Sequence, residues 1–348
     1  MQVMKSSSPL VSVIIDAYNL GHFVEEAIES VLGQAFPQNE VETIVVDDGS
    51  TDDTAERVKK YGDKIDYIFK TNGGQASALN VGFENSRGEI IFLLDADDYF
   101  HPNKLQTVCE IYHRYDCSSV FNNLTIIGEE VNGGEGYKDD STIRFSGAVE
   151  NSISVLSLDE KGRPPFRLSP TSGQSYKREM CERMFPIPDV LVASADLYLY
   201  AFSLLNHCIY YVHKPLTYYR KHPLAFTHLL SKDLRRMELD LLLRKHVVDL
   251  LRNADPTDRA TSLIQVIENE THWQSICFEK KRGRLLEMFK HIFQCRIEGP
   301  FCFKLFSIPH LLLFLLAPER VYNGLKRVYR ASGLKKMMMK ILKRHLPF

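Results

Sequence analysis

The chain has 348 residues, 44% of them hydrophobic and 25% charged, which is enough to bury a full core in one large domain with an appendage or in two domains. Its net charge of -1 hides an asymmetry, because residues 1–110 carry 19 Asp and Glu against 8 Lys and Arg, a local charge of -11. This acidic first third repels polyanions, so nucleic acid is excluded as the expected partner.

The cysteines and the N-terminus predict a cytoplasmic protein. The seven cysteines are odd in number, scattered and never spaced Cys-x-x-Cys, so we expect reduced thiols, with neither a zinc site nor a disulfide framework. Residues 1–9 are short and polar with one lysine, and the apolar run after them ends at Asp16. We therefore expect no signal peptide.

Strands alternate with helices over the first hundred residues. Apolar runs typical of buried strands occupy residues 10–15, 41–46, 65–69 and 90–94. Helical patterns separate them, and a capping box of Ser50 and Asp53 predicts that the second helix runs on to Tyr61. Consecutive parallel strands require a covering crossover, so the pattern predicts an α/β fold with a mostly parallel, doubly wound sheet flanked by helices.

Three of these four strands end in carboxylates and other polar residues. In chain order these residues are Asp16, Tyr18, Asn19, Asp47, Asp48, Asp95, Asp97 and Asp98. Since ligands of such sheets bind beyond the carboxyl ends of the strands, the convergence predicts a ligand site at one rim. Crowded carboxylates need a cation or strong donors among them, and oxygen ligands suit Mg²⁺ or Mn²⁺. Taken singly, each Asp also fits a turn or a helix cap.

Motifs that are missing after the first strand narrow the class of ligand. No Gly-x-Gly-x-x-Gly follows it and no Walker lysine is present, so neither a dinucleotide fingerprint nor a phosphate loop is available. A carboxylate-held divalent cation can bridge diphosphate oxygens instead. Tyr18 offers a flat face for a base and Asp48 an acceptor for a base or ribose, which indicates a nucleoside diphosphate bearing a group to be transferred.

Three ordered motifs carry a family resemblance. The runs VSVIIDAYN, VVDDGSTDDT and NGGQASALNVGFENSRGEIIFLLDADD resemble the nucleotide-sugar half of family 2 glycosyltransferases, inverting enzymes with the GT-A fold. The resemblance covers residues 9 to about 110 and continues more loosely to about residue 222. It implies a nucleobase site at Tyr18 and Asp48, with Asp16 nearby. At Asp16 the chain departs from the family, which often has Pro or Thr there.

The resemblance also implies roles for residues along the donor. Asp95 contacts the ribose or the sugar and Asp97 carries the metal. The remaining positions that it places at the nucleotide sugar are Asn19, Gly74, Asn80 and Ala96.

The resemblance also assigns a catalytic base and two residues of a closing strand. Asp196 matches the catalytic base of a Glu-Asp pair whose Glu is Ala195 in this chain, and a carboxylate there can take the proton of an acceptor hydroxyl. The alternative is that Asp196 caps a helix. In the run 214–222, Arg220 matches a residue near the diphosphate and His222 a residue near the metal, and either can instead be a surface residue of an edge strand.

The whole sequence is predicted to divide into three regions. We expect a catalytic domain over residues 1–225, in which residues 126–170 form a loop, and a helical packing or oligomerisation region over 226–300. Residues 301–348 combine an apolar segment with basic amphipathic helices. From Glu319 onward, Glu319 is the only acidic residue against nine Lys and Arg. This tail either lies peripherally on the cytoplasmic face of an anionic membrane or packs on the protein.

These observations predict a metal-dependent inverting glycosyltransferase. It would use Mn²⁺ or Mg²⁺ to transfer a sugar from a nucleotide donor, expected to be UDP-linked, to a hydroxyl of a glycan or lipid-linked glycan, as in cell-surface polysaccharide synthesis. A nucleotidylyltransferase is one alternative, although it would need a Gly-rich basic loop where residues 16–21 stand. A non-catalytic membrane-associated partner protein is the other, and it predicts no turnover.

Overall fold

The computed structural model describes residues 10–128, 147–150, 153–156, 169–193, 195–206, 209–222 and 234–254, together with single positions between 261 and 275. The predicted tail 301–348 and most of the loop 126–170 lie outside the described residues. Within them the helices are α1 (Gly21–Leu32), α2 (Thr54–Lys59), α3 (Gln75–Glu84), α4 (Lys104–Arg114), α5 (Arg178–Met184), α6 (Ala195–Asn206) and α7 (Leu234–Ala254).

Ten strands form one mixed sheet. They are β1 (Val11–Ala17), β2 (Val41–Asp47), β3 (Asp66–Phe69), β4 (Ile90–Asp95), β5 (Tyr99–Phe100), β6 (Ser119–Ile127), β7 (Gly147–Glu150), β8 (Ile153–Leu156), β9 (Gln174–Lys177) and β10 (Ile209–Arg220). The order is β3-β2-β1-β4-β9-β6-β10-β8-β7, and β5 pairs with β10 beside this path. The first four strands are parallel, and β9 then lies antiparallel between β4 and β6.

The four predicted strands and the α/β class are confirmed. Apolar side chains of β1 and β4 are almost fully buried, as expected for central parallel strands that helices cover on both faces. Alternate residues of β1 belong to two separate cores. Ile14 packs in the cluster that includes α3, α5 and α6, whereas Val13 and Ile15 pack in the cluster that includes α1 and α4.

Two local predictions are wrong. Helix α2 begins at Thr54, because Ser50 does not cap it: the Ser50 N–H donates to Asp47 and its Oγ accepts from the Asn19 N–H, which holds Ser50 in the preceding loop. The segment 126–170 is not all loop. It contains β7 and β8, and β8 pairs antiparallel with β10, whose exposed backbone edge provides the hydrogen-bond partners.

Helix α7 packs against helix α6 of the same chain. Its residues Leu243, Val247, Val248 and Leu251 are buried in the same cluster as α6, so this face of the helix packs on the preceding region. The three predicted domains, and a role of residues 226–300 in oligomerisation, stay predictions. Among the described residues, no helix combines the length and hydropathy that crossing a bilayer requires.

Candidate active site

The site lies where the strand order reverses. β1 pairs with β2 on one side and with β4 on the other, so the crossovers leave the sheet on opposite faces and open a crevice beyond the carboxyl ends of these strands. Asp16 on β1 is the direct cross-strand partner of Asp95 on β4, and Ala17 is the partner of Asp47 on β2. The register therefore brings the carboxylates predicted at three strand ends to one rim.

The end of β4 holds a compact acidic cluster. One carboxylate oxygen from each of Asp95, Asp97 and Asp98 lies within 4.8 Å of the other two. The chain turns tightly here, because the Asp98 N–H donates to the carbonyl of Asp95 at 2.9 Å and the Ala96 N–H donates to the carbonyl of Asp16 at 3.0 Å. Three convergent oxygens are the ligand type that Mg²⁺ and Mn²⁺ prefer.

Crowding and burial perturb these carboxyls. Burial is the largest cause that raises the pKa of Asp95 and of Asp98 well above the ordinary value, and neighbouring carboxylates add to it. Burial and then the charge of Asp97 raise the pKa of Asp16 to about 7. A cluster that holds its protons so strongly is one that a bound cation would stabilise in the ionised form.

His222 and Arg220 reach the same cluster from the end of β10. The Nε2 of His222 lies 2.9 Å from Oδ2 of Asp97, while its Nδ1 is buried with no protein partner among the described residues, as is Oδ2 of Asp98. Buried polar atoms that lack a partner fit a site that accepts a ligand. The three Asp residues thus fit a divalent cation by donor type and by burial, while His222 contacts Asp97 and its own contact with a metal stays a prediction.

Arg220 is beside the cluster, but its donors already have partners. Its backbone N–H donates to Asp98 at 2.8 Å, its Nε donates to the carbonyl of Asp97 at 2.9 Å, and its guanidinium pairs with Glu26. The guanidinium also lies against the ring of Phe23. Arg220 therefore clamps the Asp97–Asp98 turn, and its contact with a diphosphate stays a prediction.

Asp48 organises the loop in front of α3. Its Oδ1 accepts from the Gly73 N–H at 2.9 Å and from Lys70 Nζ at 2.6 Å, and its Oδ2 accepts from the Gly74 N–H at 2.7 Å. Gly74 has a φ of +84°, and a Cβ there would lie 2.6 Å from Val192 Cα, so only glycine fits this position. The loop is thus shaped by a carboxylate that is only 3% exposed, and the contact of Asp48 with a nucleobase or ribose stays a prediction.

The predicted base-stacking residue lies exposed at the same rim. Tyr18 follows β1 and is 50% exposed, which leaves its ring face open. Asn19, with a φ of +55°, accepts from the Thr51 N–H at 2.8 Å and so ties the loop after β1 to the loop after β2. Asn80 is buried instead, and both polar atoms of its amide pair with the backbone of Ile187 at 2.7 Å. What Asn80 does in this structure is hold the segment that leads to α6.

Gln75, the first residue of α3, links the two halves of the site. Its Nε2 donates to Oδ1 of Asp95 at 3.0 Å and to Thr171 Oγ1 at 3.2 Å, and its Oε1 accepts from the Ala195 N–H at 3.4 Å. Its own backbone N–H donates to the carbonyl of Val192. One amide thus connects the acidic cluster to the start of α6.

Asp196 lies in the first turn of α6. Its Oδ1 accepts from the Leu197 N–H at 2.8 Å, and burial raises the pKa of Asp196 to about 6 while that hydrogen bond opposes the rise. Gln75 joins Asp95 to Ala195, the residue before Asp196, and the charge of Asp196 is one of the causes that raise the pKa of Asp95. The role of Asp196 as a base stays a prediction.

Several residues of the site were not singled out as site residues from the sequence. Asp98 was visible as the third acid of the Asp-rich run but was not assigned to the metal. Lys104 is fully buried, and its Nζ donates to the carbonyl of Ser172 at 2.5 Å and to Thr217 Oγ1 at 2.9 Å. Ser172 Oγ in turn accepts from the Asp95 N–H at 3.0 Å. A lysine among the apolar positions of α4 was the available signal, whereas nothing in the sequence pairs Gln75 with Asp95.

Comparison with known sequences gives the same family as the motifs. The sequence model of glycosyl transferase family 2 matches residues 12–166. An uncharacterized glycosyltransferase of Nostoc sp. is 34% identical over 218 residues, which are 61% of this chain and 65% of the relative. TuaG of Bacillus subtilis, a glycosyltransferase named for teichuronic acid biosynthesis, is 33% identical over 132 residues, 36% of this chain and 51% of TuaG. The chain spans less than two thirds of the length of either relative.

Solved structures share the fold. S. aureus TarS residues 1–349 in complex with UDP superpose with a TM-score of 0.57 at 20% identity, over 88% of this chain and 82% of that one. The mannosyltransferase PcManGT of Pyrobaculum calidifontis, in complex with GDP-Man and Mn²⁺, gives 0.53 at 16% identity, over 96% of this chain and 88% of that one. The fold is therefore that of the GT-A glycosyltransferases. The residues that match the model of glycosyl transferase family 2, 12–166, include strands β2 to β8 of this fold.

Proposed function

We propose that the chain is a metal-dependent inverting glycosyltransferase that moves a sugar from a nucleoside diphosphate to a hydroxyl group. One observation carries the proposal: the cluster of Asp95, Asp97 and Asp98 lies at the same rim as Asp48, and Gln75 connects it to the start of α6, where Asp196 lies. Oxygen ligands for a divalent cation close to a carboxylate that can accept a proton suit glycosyl transfer from a nucleotide sugar.

The donor half holds and orients the nucleotide sugar. Asp95, Asp97, Asp98 and His222 would hold the cation, which when bound neutralises the diphosphate as it becomes the leaving group. Tyr18 offers its open face to the base, and the loop that Asp48 shapes lines the adjacent edge of the rim. Among the described residues, Lys70 and Arg220 are cations close to these groups, and both are held there by ion pairs.

Asp196 supplies the base. With a pKa of about 6 it is mostly ionised near pH 7 and can still accept a proton. The acceptor oxygen attacks the anomeric carbon from the face opposite the diphosphate, a new C–O bond forms, and the bond to the phosphate oxygen breaks. The hydroxyl proton passes to the carboxylate of Asp196 and the nucleoside diphosphate leaves, so the anomeric configuration is inverted.

The donor and acceptor classes follow from the comparisons and the site together. The UDP complex of TarS supports a UDP-linked sugar, and the name of TuaG supports a glycan or lipid-linked glycan acceptor in cell-surface polysaccharide synthesis. The Mn²⁺ in PcManGT supports Mn²⁺ or Mg²⁺ as the cation. The same proposal places the protein in the cytoplasm, with residues 301–348 as the region that would contact an anionic membrane or pack on the protein.

Two substitutions separate binding from chemistry. The wild type is screened with nucleotide sugars in the presence of Mn²⁺ or Mg²⁺, and released nucleoside diphosphate is measured alongside calorimetric nucleotide affinity. Asp97→Asn is expected to lose metal-dependent nucleotide binding and turnover together. Asp196→Asn is expected to keep the nucleotide affinity and to lower turnover by about 100-fold or more.

Asp66→Asn is the matched control, because Asp66 is an exposed carboxylate of β3 away from the cluster. It should change neither quantity. An Asp196→Asn variant that turns over at the wild-type rate would disprove the assignment of the base. Absence of turnover by the wild type with every donor would instead favour the non-catalytic alternative.

A further inference from the structure

Lys104 is a buried lysine that the proposed mechanism does not use. It is the first residue of α4, and its side chain is fully buried. Its Nζ lies 3.7 Å from the centre of the Phe100 ring and donates to the Ser172 carbonyl at 2.5 Å and to Thr217 Oγ1 at 2.9 Å. These partners are neutral, and burying an ammonium group among neutral partners costs desolvation. A lysine at this position therefore needs a reason other than packing.

The contacts of Lys104 belong to a buried network in which each polar group has its partners. Thr217 Oγ1 donates to the Ser172 carbonyl at 3.0 Å and accepts from Lys104 and, at 3.0 Å, from Asn122 Nδ2. Ser172, Thr217 and Asn122 are all at most 2% exposed. The Ser172 carbonyl and the Thr217 hydroxyl each accept two hydrogen bonds, which is what their lone pairs allow. A buried network that is satisfied in this way fixes one arrangement of the chain.

The segment that this network fixes is the turn Thr171–Gly173, and the turn reaches Asp95 by two routes. Ser172 Oγ accepts from the Asp95 N–H at 3.0 Å. Thr171 Oγ1 accepts from Gln75 Nε2 at 3.2 Å, and the same nitrogen donates to Asp95 Oδ1 at 3.0 Å. The turn thus contacts the backbone of Asp95 directly and its carboxylate through one amide. Whatever holds the turn in place also holds Asp95.

We propose that Lys104 is a positioning residue for the acidic cluster: by fixing the turn Thr171–Gly173, it holds Asp95 where its carboxylate can join Asp97 and Asp98 around a divalent cation. The inference rests on the proposed function, in which this cluster carries the cation. Lys104 itself touches neither the cation nor the substrate. Burial lowers the pKa of Lys104, but a neutral amine keeps two N–H groups, enough for both hydrogen bonds, so the role does not depend on the charge.

The affinity for Mn²⁺ tests this role. It is measured with and without UDP from the electron paramagnetic resonance signal of the free ion. Lys104→Met keeps an unbranched side chain and removes the donors, so the Mn²⁺ affinity should fall by about 10- to 100-fold, the usual effect of losing a group that orients a metal ligand. Lys59→Met is the matched control, because Lys59 is an exposed lysine of α2. It should leave the affinity unchanged, and wild-type affinity in Lys104→Met would overturn the proposal.

A double-mutant cycle tests whether Lys104 acts through Ser172. Ser172→Ala removes the acceptor of the Asp95 N–H and keeps the carbonyl that Lys104 contacts. Because both changes act on one contact, the double variant should lose less Mn²⁺ affinity than the product of the two single losses. Losses that multiply would overturn the proposal. A purely structural lysine would lower the number of Mn²⁺ sites per chain, through loss of folded protein, and leave the affinity of the remaining sites unmoved.

Hydrogen exchange of the Asp95 amide in EDTA separates this inference from the proposed function. Lys104→Met releases the turn, so the Asp95 N–H should exchange faster by about tenfold or more, as in Ser172→Ala. The N–H of Leu93, which lies on the same strand opposite Ile14, should keep its rate. Faster exchange at Asp95 supports the positioning of Asp95 even where the wild type binds no Mn²⁺, a result that would refute the proposed function alone. An unchanged rate at Asp95 overturns the inference.

Thr217→Val keeps the inference testable where Lys104→Met does not fold. This variant preserves the shape of the side chain and removes the other donor to the Ser172 carbonyl. It should weaken Mn²⁺ binding and speed the exchange of the Asp95 N–H in the same direction as Lys104→Met. Wild-type values of both quantities in Thr217→Val would show that the network does not position Asp95.

Discussion

Asp16 offers a test of how much the crowded carboxylates at the rim destabilise the folded protein. Its carboxyl lies opposite Asp95, its Oδ1 is buried without a described partner, and burial and Asp97 raise its pKa from 3.8 to about 7. The folded state therefore keeps a proton that the unfolded state has already lost. This contribution to stability is fully present below about pH 4 and is lost as the pH rises through 7.

The size of the effect follows from the shift. At about 1.36 kcal/mol per unit, a rise of roughly three units corresponds to about 4 kcal/mol, an upper bound for what ionised Asp16 costs at pH 8. Asp16→Asn keeps the shape and cannot ionise. We expect this variant to be more stable than the wild type by about 2–4 kcal/mol at pH 8 and by less than half as much at pH 5, with the advantage lost only below about pH 4.

The measurement is urea unfolding at both pH values in EDTA, so that no cation neutralises the cluster. Asp66→Asn, at an exposed position of β3, should differ from the wild type by less than about 0.5 kcal/mol at either pH. The reasoning is refuted when Asp16→Asn shows no gain at pH 8. It is also refuted when the gain is the same at pH 5, because a packing effect would not titrate.

Two further substitutions test the loop and the bridge between the two halves of the site, both by urea unfolding. Gly74→Ala should cost about 2–4 kcal/mol, because φ is +84° and the new Cβ would lie 2.6 Å from Val192 Cα. Gly62→Ala, with a φ of +53° and no atom within 4 Å of the new Cβ, should cost only about 1 kcal/mol, and equal costs would contradict the steric explanation. Gln75→Met should cost about 1–3 kcal/mol because it removes the hydrogen bond to Asp95, and a loss under about 0.5 kcal/mol would show that the bridge contributes little.

The parallel half of the sheet was predictable because its signals are local. The residues of β1, β2 and β4 are apolar runs that end in turn formers, and each run states its own type and length. The start of α2 was missed for a related reason: Ser50 and Asp53 fit a capping box, but Asn19 from another loop takes the Ser50 hydroxyl. This long-range hydrogen bond prevents Ser50 from capping the helix, and the local sequence gives no sign of it.

The residues of the site also divide into those that local sequence signals predict and those that only the fold brings together. Asp95 and Asp97 could be placed at one rim because strand ends in a parallel sheet share an edge. Gln75 was not assigned to the rim and Asp98 was not assigned to the metal, since their roles depend on which side chains the fold brings to them. Asn80 illustrates the converse: it lies at a motif position near the donor, and the structure shows its amide paired with Ile187.

The insertion of β9 explains why Ser172, 77 positions beyond Asp95, reaches the acidic cluster. Because β9 runs antiparallel to β4, the turn before it, Thr171–Gly173, lies at the carboxyl end of β4, where Ser172 accepts from the Asp95 N–H. A parallel strand in this place would deliver that turn to the opposite edge. With the turn at this edge, Thr171 also meets Gln75, which in turn reaches the start of α6. The change of strand direction thus brings the start of α6 to the rim that holds the acidic cluster, and this arrangement is set by the whole sheet rather than by any one strand.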